Sequence, residues 1–157
     1  MRRFVIDAPG VRRIAVRDAV VVDDDGEGEV VPAARVLPGF VDLHCHGALG
    51  ADFASCTVDE ARRAAAFHRA RGATALVASV ATAPLDEMRA AIVRLRGLVR
   101  EGVLAGIHLE GPYLSPRRRG VHAPELLRRP DRGEIRDLLD AGEGAVQRAG
   151  NKIPNYK

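Results

Sequence analysis

Two histidines one residue apart, a glutamate at the end of an apolar run, and a histidine in an arginine-rich loop are the residues of this 157-residue chain best suited to chemistry. His44 and His46 sit in the run Phe40-Val41-Asp42-Leu43-His44-Cys45-His46-Gly47. Successive side chains of a strand point to opposite faces, so both imidazoles project together and Cys45 projects the other way. Two imidazoles side by side at a strand's C-terminal end can share one metal ion. The alternative is a histidine pair satisfied by ordinary hydrogen bonds. With the metal reading, Cys45 reads as a packed thiol rather than a ligand. Glu110 closes the run Ile107-His108-Leu109-Glu110 just before Gly111-Pro112. A carboxylate there needs a partner, because burying an unpaired charge is costly. That partner is either one of the many arginines or a metal. His108 shares the face of Glu110 one layer deeper and reads as a polar core residue. His122, alone in the loop Arg117–Ala123, carries little by itself. His68 falls in an Arg- and Ala-rich helical pattern and reads as a surface residue. Cys56, with no acid-base partner in the sequence around it, reads as structural.

These residues need elements to hold them. Residues 4–36 contain short β-rich pieces, Phe4–Ile6, Arg13–Val16, Ala19–Val22 and Val30–Pro32, with a turn cluster at Asp23–Gly26. They predict part of a small β-domain. The run through His46 then predicts a buried strand. Thr57 to Arg71 has a helical pattern, with Thr57 as N-cap, Glu60 as the capping-box acid and Gly72 past the end. Ala75–Ala81 predicts a second buried strand, Leu85–Glu101 a second helix, and Val103–Glu110 a third strand. Asp131–Ala141 predicts a third helix with Gly142 at its C-cap. The order strand, helix, strand, helix, strand, loop, helix belongs to a parallel α/β fold. Periodicity alone does not separate a barrel from a doubly wound sheet. No Gly-rich phosphate loop follows the first strand, which leaves a dinucleotide fold without support.

Composition narrows the classes. The chain is 46% hydrophobic and 29% charged, which suits a soluble globular protein. Its net charge of +3 comes from short arginine clusters such as Arg117-Arg118-Arg119, and aromatics make up 4% with no Trp. A nucleic-acid partner is not expected, because a basic stripe with interleaved aromatics is missing. Two cysteines make no disulfide framework. Neither a signal peptide nor an apolar run of about 18 residues is visible, so neither a leader nor a membrane partner is expected and the cytoplasm is the default compartment.

Together the motifs resemble a known family. Leu37-Pro38-Gly39-Phe40-Val41-Asp42-Leu43-His44-Cys45-His46-Gly47 is similar to the first barrel strand of the amidohydrolase superfamily. His108-Leu109-Glu110-Gly111-Pro112-Tyr113-Leu114-Ser115-Pro116, followed by Arg119-Gly120-Val121-His122, resembles the N-acetylglucosamine-6-phosphate deacetylase family within it. Gly72-Ala73-Thr74 and Thr82-Ala83-Pro84 fit that family's second strand. The resemblance covers roughly residues 36–146. It implies an α/β fold: the first three strands of a TIM-type (β/α) barrel, preceded by part of a small β-sandwich domain. The domain reading is 1–36 for the β-sandwich part, 37–146 for the barrel part and 147–157 for an atypical tail. The implied reaction is hydrolysis of the N-acetyl group of N-acetylglucosamine 6-phosphate to glucosamine 6-phosphate and acetate. The implied cofactor is one or two divalent metal ions, zinc or iron. Glu110 matches the family's metal-binding glutamate, and His44 and His46 match a second metal position. Val121 and His122 match substrate contacts. The partner is a small amino-sugar phosphate, and the family implies a homo-oligomer.

The departures are also expectations. Residues 1–150 contain 22 Arg with no Lys or Asn, whereas residues 151–157 contain two Lys and two Asn. The tail reads as unselected with the rest, as after a frameshift or at a cloning scar. The family's later metal histidines and its catalytic aspartate are expected beyond the chain, which predicts no catalytic residue and no turnover within it. The alternatives are another amidohydrolase, dihydroorotase-like or deaminase-like, and a non-catalytic remnant that serves as an interaction module.

Overall fold

Alternating apolar runs and amphipathic stretches become strands and covering helices, each crossing back to lay the next strand parallel to the last. The computed structural model describes residues 3–7, 14–17, 20–22, 28–32 and 37–149. The chain divides into two units, Met1–Pro38 and Gly39–Lys157. In the first, β1 (Arg3–Asp7), β2 (Ile14–Arg17), β3 (Val20–Val22) and β4 (Glu29–Pro32) form one sheet in the order β3-β2-β1-β4. The β1–β2 and β2–β3 pairs are antiparallel, and β4 runs parallel to β1. The turn cluster expected at Asp23–Gly26 lies outside the described residues.

The second unit opens with β5 (Phe40–Cys45) and a tight hairpin of β6 (Gly47–Ala48) and β7 (Ala51–Asp52). It continues through α1 (Val58–Arg69), β8 (Ala73–Ala81), α2 (Leu85–Arg100), β9 (Gly106–Glu110), α3 (Arg132–Gly142) and β10 (Val146–Ala149). The sheet order is β10-β9-β8-β5, and all three pairings are parallel. Strand order therefore follows chain order without reversal. Parallel crossovers share one hand, so an unreversed order keeps the helices on one face. The contacts agree: α1 packs on α2, and α2 on α3. Between helices and sheet lies the core, with Phe53, Met88, Ile92, Leu95, Leu98 and Ile107 fully enclosed. Each such side chain contributes about 1.5–3 kcal/mol relative to exposure.

Three expectations need correction. The sheet has four parallel strands rather than three. β10 arises where the sequence shows no apolar run, because ladder hydrogen bonds come from the backbone: Ile107 N–H donates to Ala145 O at 2.9 Å. Val146 of this strand packs against the core. The tail expected from residue 147 thus begins inside the sheet, while residues 150–157 lie outside the described residues. Second, β5 is not buried on both faces. Among the described residues it pairs only with β8, and Phe40, Val41 and Leu43 are 58%, 62% and 57% exposed. Third, α3 includes Gly142 and is capped instead by Glu143, at φ 47°. Glycine is needed at 142 for packing, since an added Cβ would lie 2.7 Å from Val146 Cγ2.

The capping of α1 follows the sequence. Glu60 N–H donates to Thr57 Oγ1 at 3.3 Å, and the Glu60 carboxylate accepts from Thr57 N–H at 2.8 Å. These bonds hold Glu60 below the usual carboxylate range, so its contribution fades as pH falls through that lowered value. Thr57→Ala is expected to cost about 1 kcal/mol in urea unfolding. An unchanged midpoint would show that the cap does not stabilise the fold.

The long β9–α3 connection is tied down at both ends. Arg128 N–H donates to Pro112 O at 3.1 Å, and the Tyr113 hydroxyl donates to Glu134 Oε2 at 3.2 Å. Arg128 pairs with the same carboxylate. Burial first, and then the Glu134 charge, push the Tyr113 phenol up to about 12 from 10. The folded state holds the phenol proton more tightly than the unfolded chain. Its contribution is therefore complete below pH 10 and lost as pH rises toward 12. Melting temperature followed across that window should fall more steeply for wild type than for Tyr113→Phe, and parallel curves would contradict the assignment.

Candidate metal centre

The parallel ladder brings the chemistry-bearing residues to one rim. Ser79 pairs in register with His108, and Ala81 with Glu110. His44 closes toward the same rim on β5, and His46 follows just past the strand end. As strand alternation requires, the two imidazoles share a face. Their Nε2 atoms are 3.0 Å apart, with ring centroids at 5.0 Å. Glu110 Oε2 lies 3.4 Å from His44 Nε2 and 3.0 Å from His46 Nε2. The partner of Glu110 is thus a set of histidines rather than an arginine.

These three donor atoms form a triangle with edges of 3.0–3.4 Å. Ligands at about 2.1 Å around a tetrahedral zinc stand about 3.4 Å apart. The arrangement fits a divalent cation with little adjustment. Without a cation or proton between them, two imidazole lone pairs would face each other. The second carboxylate oxygen, Oε1, points toward His122 Nε2 at 3.9 Å. His122, an isolated loop histidine in the sequence, is therefore part of the cluster, and its side chain is 9% exposed. A cavity of about 340 Å³ opens beside Glu110 and His122, with Val121 and Arg118 in its wall. Val121 is 99% exposed, free to meet a ligand.

The deeper layer is polar as well. His108 is buried, with Nδ1 3.0 Å from Ser79 Oγ, and its ring meets that of His44 edge-on at 5.1 Å. His108 thus lies behind the candidate donors, one layer deeper on the face of Glu110. Ser79 carries no sequence signal and is identified only by the register.

On the opposite side of β5 the structure corrects the reading of His68. It is no plain surface residue: its Nε2 lies 3.1 Å from Gly47 O and 3.2 Å from Cys45 Sγ. Asp42, Cys45 and His68 form a second group with ligand atoms within 4.8 Å of one another. The carbonyl of Gly47 only accepts, so His68 Nε2 bears a proton and offers no lone pair to an ion. Burial pushes the Cys45 thiol up, as it does Cys56, so both stay protonated and packed. Cys45 therefore serves as the packed thiol the sequence suggests.

Thr82 is the residue that sequence reasoning missed. Its hydroxyl donates to Glu110 O at 3.1 Å and lies 2.7 Å from His122 Nδ1. Gly111, at φ 108°, is needed beside it, since an added Cβ would collide with Thr82 Oγ1. Only the pairing of β8 with β9 reveals that position 82 stands next to 110.

The chain is similar to known proteins in sequence and in fold. The model of the Amidohydrolase family matches residues 35–156. The chain is 31% identical over 149 residues to an N-acetylglucosamine-6-phosphate deacetylase of Vibrio furnissii, covering 83% of this chain and 37% of that protein. It is 33% identical over 120 residues to an N-acetylgalactosamine-6-phosphate deacetylase of Escherichia coli O157:H7, covering 73% and 32%. Among solved structures, a mutant N-acetyl-D-glucosamine-6-phosphate deacetylase of Mycobacterium smegmatis, in complex with N-acetyl-D-glucosamine-6-phosphate, superposes with a TM-score of 0.82. It is 40% identical, over 94% of this chain and 42% of that one. The chain thus spans between 32% and 42% of the length of these relatives. Its motifs, its parallel α/β sheet and its match over residues 35–156 make the chain a member of the amidohydrolase family.

Proposed function

We propose that this chain supplies the metal-binding rim of a deacetylase that hydrolyses the N-acetyl group of N-acetylglucosamine 6-phosphate, releasing acetate and glucosamine 6-phosphate. The observation that carries the reading is the convergence of His44, His46 and Glu110 on one point, with His122 opposite. The similar proteins bear this activity in their names. A divalent cation, zinc or iron, supplies Lewis-acid polarisation of an amide carbonyl and a more acidic water. His44, His46 and Glu110 would hold it. Glu110 offers Oε2 to the histidine pair and Oε1 toward His122, so one carboxylate can serve two ion positions. His122 and Val121 border the cavity where the acetamido group would lie. Among the described residues Arg118 makes no ion pair, which leaves a cation in the cavity wall for an anionic sugar. We assign the proton-transfer role to no residue of this chain, because the aspartate that the resemblance implies has no counterpart at this rim.

The fold supports the same reading. An unreversed parallel order with helices on one face is how a (β/α) barrel begins, and barrel enzymes place their chemistry at strand C-terminal ends. We read β5, β8, β9 and β10 as the first four strands of such a barrel and residues 1–36 as part of a β-sandwich domain. No described helix is long and apolar enough to cross a membrane. A cytoplasmic homo-oligomer belongs to the proposal.

Two measurements test it. Zinc titrated into residues 1–157 should bind, and Glu110→Gln should weaken binding by more than the roughly 100-fold that outer-sphere changes cause. His44→Asn with His46→Asn should remove one ion if two bind at first. Unchanged affinity in the variants would refute these ligands. Acetate release from N-acetylglucosamine 6-phosphate is then followed with the full-length polypeptide that carries residues 1–157, in its zinc- and iron-loaded forms. Turnover is expected on the order of 1 to 1,000 per second. A preference for N-acetylgalactosamine 6-phosphate would move the assignment to the other sugar, and no turnover on either would overturn it.

A further inference from the structure

We propose that Arg94 is a positioning residue for the metal-facing histidine pair, acting on His46 through the hairpin that follows β5. It rests on the reading that His44, His46 and Glu110 hold a divalent cation. The two histidines are not held alike. His44 lies within β5, whose pairing with β8 runs as far as Cys45. His46 comes just past the strand end, beyond that register. Its carbonyl instead accepts from Phe53 N–H at 2.8 Å. Gly47 pairs with Asp52 in the same hairpin. The backbone at His46 is therefore only as steady as the Phe53 end of the hairpin.

Arg94 reaches that end from helix α2. Its Nη2 donates to Ala54 O at 2.7 Å and to Phe53 O at 3.4 Å. Phe53 thus gives its N–H to His46 and its carbonyl to Arg94, while its ring is fully buried. The N–H of Ala54 is taken by Asp52 Oδ1 at 2.8 Å. On the helix side, Ala91, Ile92, Leu95 and Leu98 are fully buried, so α2 cannot shift without opening the core. The choice of residue is itself informative. Arg94 Nε is buried without a hydrogen-bond partner, and among the described residues the guanidinium makes no ion pair. Drawing a charge partly out of water is costly unless hydrogen bonds compensate it. No carboxylate does so here; two carbonyls of the turn do. An apolar side chain would fill the same place without that cost, but it could not hold the turn.

The consequence is a continuous path from α2 to the ligand set. Arg94 holds the Phe53 carbonyl, Phe53 N–H holds the His46 carbonyl, and His46 Nε2 lies 3.0 Å from Glu110 Oε2. Groups that orient a metal ligand without touching the ion change affinity by roughly 10- to 100-fold. Arg94 acts through backbone, which puts it at the lower end of that range. The same helix carries a comparison. Arg96 donates to Ala141 O at 2.9 Å and pairs with Glu143. It makes the same kind of clamp, but on α3 instead of on the hairpin that carries His46.

Two measurements on residues 1–157 test it, and neither needs turnover. Amide hydrogen exchange without added metal reads the tether itself. Arg94→Met should speed exchange of the Phe53 N–H by about 10-fold relative to that of Ile107 in the core ladder, because the opening is local. Zinc titration reads the consequence, and Arg94→Met should weaken binding by about 10-fold. Arg96→Met should leave both quantities at their wild-type values, even where it lowers the urea midpoint. Unchanged Phe53 exchange or unchanged zinc affinity in Arg94→Met would overturn the proposal, and so would an equal loss of zinc affinity in Arg96→Met. If Arg94→Met does not fold, Arg94→Gln takes its place under the same criteria. A wild-type chain that binds no zinc sinks the metal centre and this inference together. Weaker zinc binding in Arg94→Met, with no acetate release from the full-length polypeptide, leaves this inference standing and sinks the deacetylase reading alone.

Discussion

Parallel strand pairing places successive C-terminal ends along the same edge of a sheet, and every functional contact described above depends on that. His44, His46, Thr82 and Glu110 come from three strands or their immediate ends, separated by two helices. None of them touches another through local structure alone, apart from the histidine pair. The β8–β9 register sets Ser79 against His108 and Ala81 against Glu110. It thereby places the residue after Ala81 beside the carbonyl of Glu110. A slip of one residue would turn Glu110 to the other face of the sheet. The apolar layer of Ile92, Leu95, Leu98 and Ile107 resists that slip, since it would drive Leu109 out of the core.

The rim carries an electrostatic load that the core does not. Glu110 collects three histidine contacts at its two oxygens. Two imidazole nitrogens meet at 3.0 Å. Such crowding favours a positive species between the donors, and the fold sets it up. Arg118 lines the cavity beside Glu110 and His122 and extends the charged character of the rim outward.

Much of this was legible in the sequence, and the residues show why. Alternation along a strand is a geometric rule, so the shared face of His44 and His46 could be read directly. The α1 cap depends on four adjacent residues and could be read too. Glu110 announced itself as a carboxylate ending an apolar run. β10 did not, because its place in the sheet is made by backbone hydrogen bonds, which leave no pattern of apolar residues. The exposure of β5 was also hidden, since an apolar run does not say how many neighbours a strand has. His68 looked like a surface residue because helical periodicity says nothing of the Gly47 carbonyl across the gap. Ser79 was invisible for the same reason, and Thr82 stood out only as part of a motif: the contacts of both lie in a register between strands.

Both cysteines of the chain are buried, and burial holds both thiols in the protonated form. The native surface is therefore quiet toward thiol-directed reagents. A single cysteine introduced at the 99% exposed position of Val121 would accept a fluorophore or spin label against almost no background. The cavity beside Glu110 could then be watched optically, with the fold of the chain serving as its own blocking group.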